Sequence, residues 1–117
     1  MKIAIVGSRS FRNLAEVEKY VDLATNEGDI IVTGGAIGVD TAAEQAARKR
    51  GLEVKLFLPD WDKHGKAAGF IRNEQIVKEA DLVVAFWDGV SRGTRNTIDH
   101  ALRQRKDLYV FFHNIPA

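Results

Sequence analysis

The sequence predicts an α/β fold in which helices cover both faces of a parallel, five-stranded sheet. Short apolar runs alternate with helical patterns along the chain, and glycine-rich turns lie between several of them. Apolar runs without polar alternation are typical of strands buried on both faces, as in parallel sheets. We therefore expect a three-layer α/β/α architecture with right-handed crossovers and the strand order 3-2-1-4-5. We expect all 117 residues to form one domain.

Five strands are predicted from runs rich in β-branched and aromatic residues. These runs are residues 2–6, 30–33, 53–58, 82–86 and 108–112. In such sheets a ligand binds beyond the carboxyl ends of the strands, where the strand order reverses. The turns that follow the strands are therefore the first places to look for a site.

Four helices are predicted because apolar residues recur at helical spacing between the strands. The first stops at Gly28 and the second at Gly51, since glycine favours helix ends. Their inward-facing residues are, in chain order, Leu14, Val17, Val21 and Ala24; Ala42, Ala43, Ala46 and Ala47; Ile71, Ile76, Val77 and Ala80; and Ile98, Ala101 and Leu102. Between the third strand and the third helix we expect a long polar loop over residues 60–69.

Composition and charge exclude several functional classes. The absence of cysteine excludes disulfide and thiolate chemistry, and a net charge of +1 argues against a large nucleic-acid footprint. We therefore do not expect nucleic acid as a partner. No apolar run reaches membrane-spanning length and no apolar leader opens the chain, so we expect no membrane partner and a cytoplasmic location.

Histidine placement gives no sign of a metal site. The three histidines are scattered and no carboxylate cluster accompanies them, so we expect neither a metal nor a cofactor. We expect His100 and His113 to be structural, and residues 114–117 to form a short tail.

Two glycine-rich turns, residues 33–40 and residues 91–94, each lie between a strand and a helix. A helix N-terminus exposes unpaired N–H groups and partial positive charge, which suit a phosphate, and glycine lets the backbone approach it. The alternatives are tight strand-to-helix packing for the first turn and a simple N-capped helix for the second. The candidate ligand-binding residues here are Gly34, Gly35, Gly38, Ser91, Arg92, Gly93 and Thr94.

The turn after the first strand reads Gly7-Ser8-Arg9. Ser8 can offer a hydroxyl and Arg9 a bidentate guanidinium to a phosphate, or the two can be a helix cap and a surface arginine. Asp40 is expected either to accept hydrogen bonds from a ribose hydroxyl or to hold its own loop through backbone N–H groups.

Four further residues of the region 60–73 are candidates. Trp61 either stacks on a base or closes the core, and His64 is either a proton carrier or a structural hydrogen-bonding group. Arg72 and Asn73 begin the third helix at the same end of the sheet. Because a charged arginine among apolar neighbours needs an anion, we expect Arg72 to meet a ligand phosphate or an acidic side chain.

Together these segments resemble the YspA-related family of the SLOG superfamily, through nearly the whole chain. The most specific part runs from Trp61 through His64 to Gly69 and is closely followed by Arg72-Asn73. The resemblance implies a Rossmann-like fold that binds nucleotides or their derivatives. Within the superfamily, LOG enzymes cleave the N-glycosidic bond of nucleoside monophosphates and DprA-type members bind single-stranded DNA. Relatives commonly pair through helices, so a homodimer is also implied.

The chain departs from the LOG pattern where catalysis is concerned. Arg72 corresponds to the catalytic arginine and Gly93-Thr94 to the Gly-Thr pair, but Thr97 stands where those enzymes have glutamate. A carboxylate stabilises the positive charge that develops on the sugar, so the resemblance carries binding over better than hydrolysis. Phe70 stands where proline is expected, which affects loop stiffness more than chemistry.

Our first hypothesis is a cytoplasmic binding protein or sensor for a nucleotide or nucleotide-derived phosphorylated ligand. The glycine turns hold phosphates, Arg72 neutralises charge and residues 61–69 close over the base or ribose. The alternative is a phosphoribohydrolase with Arg72 as a catalytic residue and an acid–base group supplied by Asp40, Asp88, Asp99 or His64. A DprA-like DNA-associated module is less favoured because the charge is near neutral.

Overall fold

A computed structural model describes residues 1–112, so the expectations for His113 and residues 114–117 lie outside the described residues. The elements are β1 (Lys2–Gly7), α1 (Leu14–Ala24), β2 (Ile30–Thr33), α2 (Val39–Lys49), β3 (Glu53–Leu56), α3 (Trp61–His64), α4 (Ala68–Glu79), β4 (Leu82–Trp87), α5 (Arg92–Arg103) and β5 (Asp107–Phe112). A single 3₁₀ turn, Gly65–Ala67, joins α3 to α4. Among residues 1–112, no helix is long and apolar enough to cross a membrane.

The sheet has the expected order, β3-β2-β1-β4-β5, and every pair is parallel. The α/β Rossmann-like fold is therefore confirmed. β1 lies between β2 and β4, with Ile5 opposite Val84 in the latter pair. β2 and β3 extend the sheet on one side of β1, and β4 and β5 then extend it on the other side. This reversal opens a crevice beyond the carboxyl ends of β1 and β4.

The core is divided into two layers by the sheet. Ile3 and Ile5 of β1 pack with α1 and α2, whereas Ala4 and Val6 pack with α4 and α5. The alternation follows from the period of two in a strand, which points successive side chains to opposite faces. Both faces of β1 are buried, so its run of apolar residues has the composition of a central strand.

The predicted long loop at residues 60–69 is wrong. This segment is mostly helical, comprising α3, the 3₁₀ turn and the first two residues of α4. The Asp60 side chain accepts a hydrogen bond from the Lys63 backbone N–H at 3.1 Å and so caps α3. The many polar residues of this segment are typical of a loop, but here they form the exposed surface of short helices.

Several predicted boundaries and inward faces also differ. β3 ends at Leu56, although Phe57 N–H still bonds to the Thr33 carbonyl at 2.9 Å. α1 ends at Ala24, before Gly28, and it buries only a narrow stripe, Val17 and Val21. Leu14, Ala24 and Leu102 were predicted to face inward but are exposed, Leu102 by 62%. Each helix lies on the sheet with one side only, so residues at the margin of its apolar stripe stay in solvent.

Candidate ligand-binding site

A cleft of about 480 Å³ opens beyond the carboxyl ends of β1 and β4. Its walls come from four parts of the chain: the turn after β1, the start of α2, the first half of α4, and the segment from Asp88 into α5. Of the predicted ligand-binding residues, the structure brings together Gly7, Arg9, Asp40, Arg72, Asn73, Ser91, Gly93 and Thr94 in its lining.

The N-terminus of α5 forms one open wall of this cleft. Ser91 is the N-cap, and its hydroxyl accepts weakly from the Thr94 N–H at 3.5 Å. A β-carbon built on Gly93 meets no atom within 4 Å, so the backbone there faces open space. The first N–H groups of a helix have no acceptor within the helix, which leaves that of Gly93 available to a ligand in the cleft.

Ser8 lies beneath the cleft and is occupied by the protein. Its backbone N–H donates to the Phe86 carbonyl at 3.0 Å, and its hydroxyl accepts from the Asp88 N–H at 3.2 Å. The same hydroxyl lies 3.2 Å from that of Thr94, and both side chains are buried. Ser8 therefore joins the turn after β1 to β4 and α5. Arg9, by contrast, is exposed on the cleft wall.

Asp40 occupies the backbone donors of the second glycine turn. One of its carboxylate oxygens accepts from the N–H groups of Gly34 and Ala36, both at 3.2 Å. The residue is only 4% exposed, and this burial raises the pKa of its carboxyl above the usual value, against the opposing effects of those bonds and of Arg72. Of our two interpretations, the structure favours Asp40 as the group that holds its own loop.

The glycine at position 34 accommodates a protein side chain. A β-carbon there would lie 2.9 Å from Cζ of Arg72, and the Arg72 Nη1 donates to the Gly34 carbonyl at 2.8 Å. Gly35 and Gly38 have φ angles of +73° and +93°, so the turn needs glycine for its backbone as well. This turn is shaped for packing by Arg72, and neither Gly34, Gly35 nor Gly38 lines the cleft.

Arg72 is half-buried and largely held by the protein. Besides Gly34, its guanidinium donates to the Phe57 carbonyl at 3.4 Å and to the Asn73 side-chain oxygen at 3.0 Å. Burial lowers the pKa of Arg72, while the neighbouring Asp40 carboxylate opposes that shift. Of the two anions expected for Arg72, Asp40 is the one that lies near it, but the guanidinium bonds to Gly34, Phe57 and Asn73 and forms no ion pair with that carboxylate. Asn73 ties α4 to α5 through the Gly93 carbonyl at 3.2 Å and Asn96 at 3.1 Å.

Asp88 lines the cleft, although the sequence pointed to it only as an acid–base group for hydrolysis and not as a ligand-binding residue. One of its oxygens accepts from the N–H groups of Val90 and Ser91, both at 2.8 Å, and the other accepts from the Ser10 hydroxyl. Burial alone would raise the pKa of Asp88, but these bonds together bring it down to about 2. The Asp88-Gly89 pair after a strand was the available signal, because Asp before Gly is typical of a turn held by its own side chain.

Trp61 and His64 lie outside this cleft. Trp61 is 59% exposed, with its ring edge over Gly69, so it does not close the core. His64 lines a second pocket of about 250 Å³ together with Asp60, Lys63 and one side of Arg72. Arg92 and Asp99 are exposed on α5 and do not line the cleft. Within residues 1–112, no three His, Asp or Glu side chains are grouped as metal ligands.

Comparisons with known proteins assign the family. The family model described as "YspA, cpYpsA-related SLOG family" matches residues 1–64. A curated relative, Gene 61 protein of Mycobacterium phage D29, is 36% identical over 109 residues, which cover 86% of this chain and 87% of the relative. This chain belongs to the YspA, cpYpsA-related SLOG family. The matched region holds Arg9 and Asp40, whereas Arg72 and the start of α5 lie beyond it.

Solved structures share the fold of this family member. DNA processing protein A (DprA) from Streptococcus pneumoniae superposes with a TM-score of 0.80 at 24% identity, and its Helicobacter pylori counterpart, described as binding single-stranded DNA, with 0.78 at 21%. The protein TM1055 gives 0.67 at 21% identity over 92% of this chain and 71% of its own. The alignments cover 93% and 94% of this chain but only 49% and 64% of the two DprA chains, respectively.

Proposed function

We propose that this protein binds a nucleotide or nucleotide-derived phosphorylated ligand in the cleft beyond β1 and β4. The observation that supports this most is the open backbone at Gly93, at the N-terminus of a 12-residue helix and in the same cleft as Arg9. Unpaired N–H groups, a helix dipole and a guanidinium are the donors that a phosphate prefers.

One phosphate-binding position is proposed where the sequence suggested several. The N–H groups of Gly34 and Ala36 are already bonded to Asp40, and Ser8 is bonded to the protein. The phosphate therefore meets the N–H group of Gly93, with the Ser91 hydroxyl and the Arg9 guanidinium in the same lining. A volume of about 480 Å³ lies within the range of small-molecule sites and leaves room for a sugar and a base.

The alternative, a phosphoribohydrolase, has one observation in its favour. Asp88 supplies an ionised carboxylate in the same cleft as Arg72, although Thr97 occupies the lining position that the LOG pattern gives to glutamate. A carboxylate in this cleft, such as that of Asp88, can stabilise the positive charge that develops on a sugar. Incubation with nucleoside monophosphates and measurement of released base tests this, and sustained turnover that Arg72→Ala abolishes would replace the binding-only proposal.

DNA as a partner needs a separate test. We expected no nucleic acid from net charge alone, and the similarity to a protein described as binding single-stranded DNA weighs against that expectation. The fold similarity does not extend to the full length of that relative. A salt-sensitive mobility shift with a single-stranded oligonucleotide, reduced by Arg9→Ala, would favour a DNA-associated module.

The proposal is tested by a thermal-shift screen across nucleotides, because a ligand that binds only the folded state raises its melting temperature. Affinity for each hit is then measured calorimetrically for the wild type and for Arg9→Ala. Loss of one charge-assisted hydrogen bond should weaken binding about tenfold or more. Arg12→Ala is the matched control, since Arg12 is exposed and lies outside the cleft lining.

Two outcomes would contradict the proposal. In the first, no nucleotide of any base or phosphate number shifts the melting temperature. In the second, Arg9→Ala and Arg12→Ala weaken binding equally, which would place the ligand elsewhere on the surface.

A further inference from the structure

The Asp88 carboxylate places a negative charge in the same cleft as the proposed phosphate position. Asp88 accepts two backbone N–H bonds, from Val90 and Ser91, immediately before the first turn of α5. With the Ser10 hydroxyl on its other oxygen, the carboxylate is held in place by three donors from two loops. The protein itself therefore fixes the position of this carboxylate, which lines the cleft.

The positive charge left for a ligand is small. Of the two arginines in the lining, Arg72 donates to three protein oxygens and lies beside Asp40. Arg9 makes no hydrogen bond or ion pair within residues 1–112. The N-terminus of α5 adds about half a charge. Against these, Asp88 contributes a full negative charge, so the net positive charge left for a ligand is about half a unit, which is less than the one to two negative charges of a single phosphate group.

A second phosphate cannot avoid this carboxylate. A sphere with the cleft's volume of about 480 Å³ is about 10 Å in diameter, which is comparable with the Debye length in physiological salt. Every charge on a ligand inside the cleft therefore interacts with Asp88 without full screening. The first phosphate gains the N-terminus of α5 in exchange, whereas a further phosphate finds no second open helix N-terminus at α2, because Asp40 already accepts from the N–H groups of Gly34 and Ala36.

We propose that Asp88 sets the phosphate number of the ligand: it disfavours nucleoside diphosphates and triphosphates and so selects a singly phosphorylated ligand. This inference rests on the proposed function, because it concerns the same cleft. Asp88 is therefore a specificity residue, because its carboxylate repels the additional phosphate groups of a diphosphate or triphosphate.

The test uses the full chain and Asp88→Asn. The amide oxygen of asparagine can still accept from Val90 and Ser91, so the turn is retained while the charge is removed. Asp107→Asn is the matched control. Asp107 is exposed at the start of β5, so it lies at the amino ends of the strands, whereas the cleft lies beyond their carboxyl ends. Binding is measured calorimetrically for adenosine mono-, di- and triphosphate without divalent cations, and for inorganic phosphate and pyrophosphate, which carry no base.

For the wild type we expect tighter binding of the monophosphate than of the di- or triphosphate. Asp88→Asn should improve the affinity for di- and triphosphate about tenfold relative to that for monophosphate, and pyrophosphate should follow the same trend. Asp107→Asn should leave these ratios unchanged within about twofold. Circular dichroism establishes that both variants are folded.

The outcomes separate this inference from the proposed function. If the wild type binds a monophosphate but Asp88→Asn leaves the affinity ratios unchanged, or if the wild type prefers a triphosphate, Asp88 does not set phosphate number although the cleft binds nucleotides. If neither protein binds any of these probes, the proposed function fails and this inference fails with it.

Discussion

At the scale of the residue, two glycines that looked alike in the sequence have opposite roles. At Gly34, the Arg72 guanidinium fills the space that a β-carbon would take. Gly93 borders open space at the start of α5. Both were predicted as phosphate-binding glycines, but only Gly93 lies where a ligand can approach. Glycine in a turn permits close approach without specifying which group approaches.

Gly93→Ala should separate stability from binding. Gly93 lies in the first turn of α5 without a positive φ, so alanine should stabilise the helix by about 0.5 kcal/mol while its methyl group narrows the phosphate position. Calorimetric affinity for a ligand found in the screen should fall at least severalfold although chemical unfolding shows no loss of stability.

Gly69→Ala is the control for this effect. Gly69 lies in the first turn of α4, where a β-carbon makes only an ordinary 3.8 Å contact with Trp61, outside the cleft. It should give the same stabilisation with unchanged affinity. Equal affinities for the two variants would place the ligand away from Gly93.

At the scale of the element, the N-termini of α2 and α5 differ in which of their backbone N–H groups are already bonded to a carboxylate. The turn before α2 is closed by Asp40, a residue of the helix itself, which reaches back to Gly34 and Ala36. The turn before α5 is held by Asp88, which bonds to Val90 and Ser91 and leaves the next N–H groups of the helix free. A strand–glycine–helix pattern is common to both, so local sequence did not distinguish a packed turn from an open one.

Asp40→Asn should change how stability depends on pH. Because burial raises the pKa of Asp40, the folded state holds its proton more tightly than the unfolded chain. The stabilisation from this group is then complete below the ordinary value of 3.8 and is lost as pH rises through the folded-state pKa.

The measurement is urea unfolding of the wild type and Asp40→Asn between pH 3 and pH 8. Asparagine cannot titrate, so the free energy of unfolding of the wild type should fall relative to that of the variant as the pH increases. The amide oxygen can keep the bonds to Gly34 and Ala36, so the variant should fold. A difference between the two proteins that stays constant over this range would show that the pKa of Asp40 is not raised.

At the scale of the whole molecule, the site depends on the packing of the central strands. Phe86 is fully buried, stacks on Phe111 with ring centroids 5.0 Å apart and meets Phe11 edge-on at 5.5 Å. Its backbone carbonyl accepts from Ser8 N–H at 3.0 Å. The same residue therefore joins the aromatic part of the core to the floor of the cleft.

Phe86→Ala should destabilise the protein by about 3–5 kcal/mol, since it leaves a large cavity between the sheet and α1. Phe112→Ala is the comparison, because Phe112 lies on the same sheet but is 59% exposed, and its loss should cost about 1 kcal/mol or less. Chemical unfolding of both variants measures the difference. Similar losses would mean that the aromatic cluster around Phe86 is less closely packed than its contacts indicate.

Much of the fold could be predicted because it follows from local patterns. The apolar run in β1 and the spacing of Val17 and Val21 in α1 each reflect the geometry of one element, and five parallel strands joined by right-handed crossovers admit few arrangements. The prediction of a loop at residues 60–69 was wrong because it relied on the same local patterns. The helices there are short and polar, so their sequence shows almost no apolar periodicity.

The sequence by itself determined the fold, the edge of the sheet where a ligand is expected, and the presence of donors and glycines at that edge. Only the tertiary structure decided which donors remain free: Asp40 satisfies one turn, Ser8 is shared with Thr94 and Asp88, and Arg72 is bound to carbonyl groups. The physical reason is that a buried polar group bonds to partners that folding brings near it, and for Ser8 and Arg72 the main partners lie in segments distant in the chain.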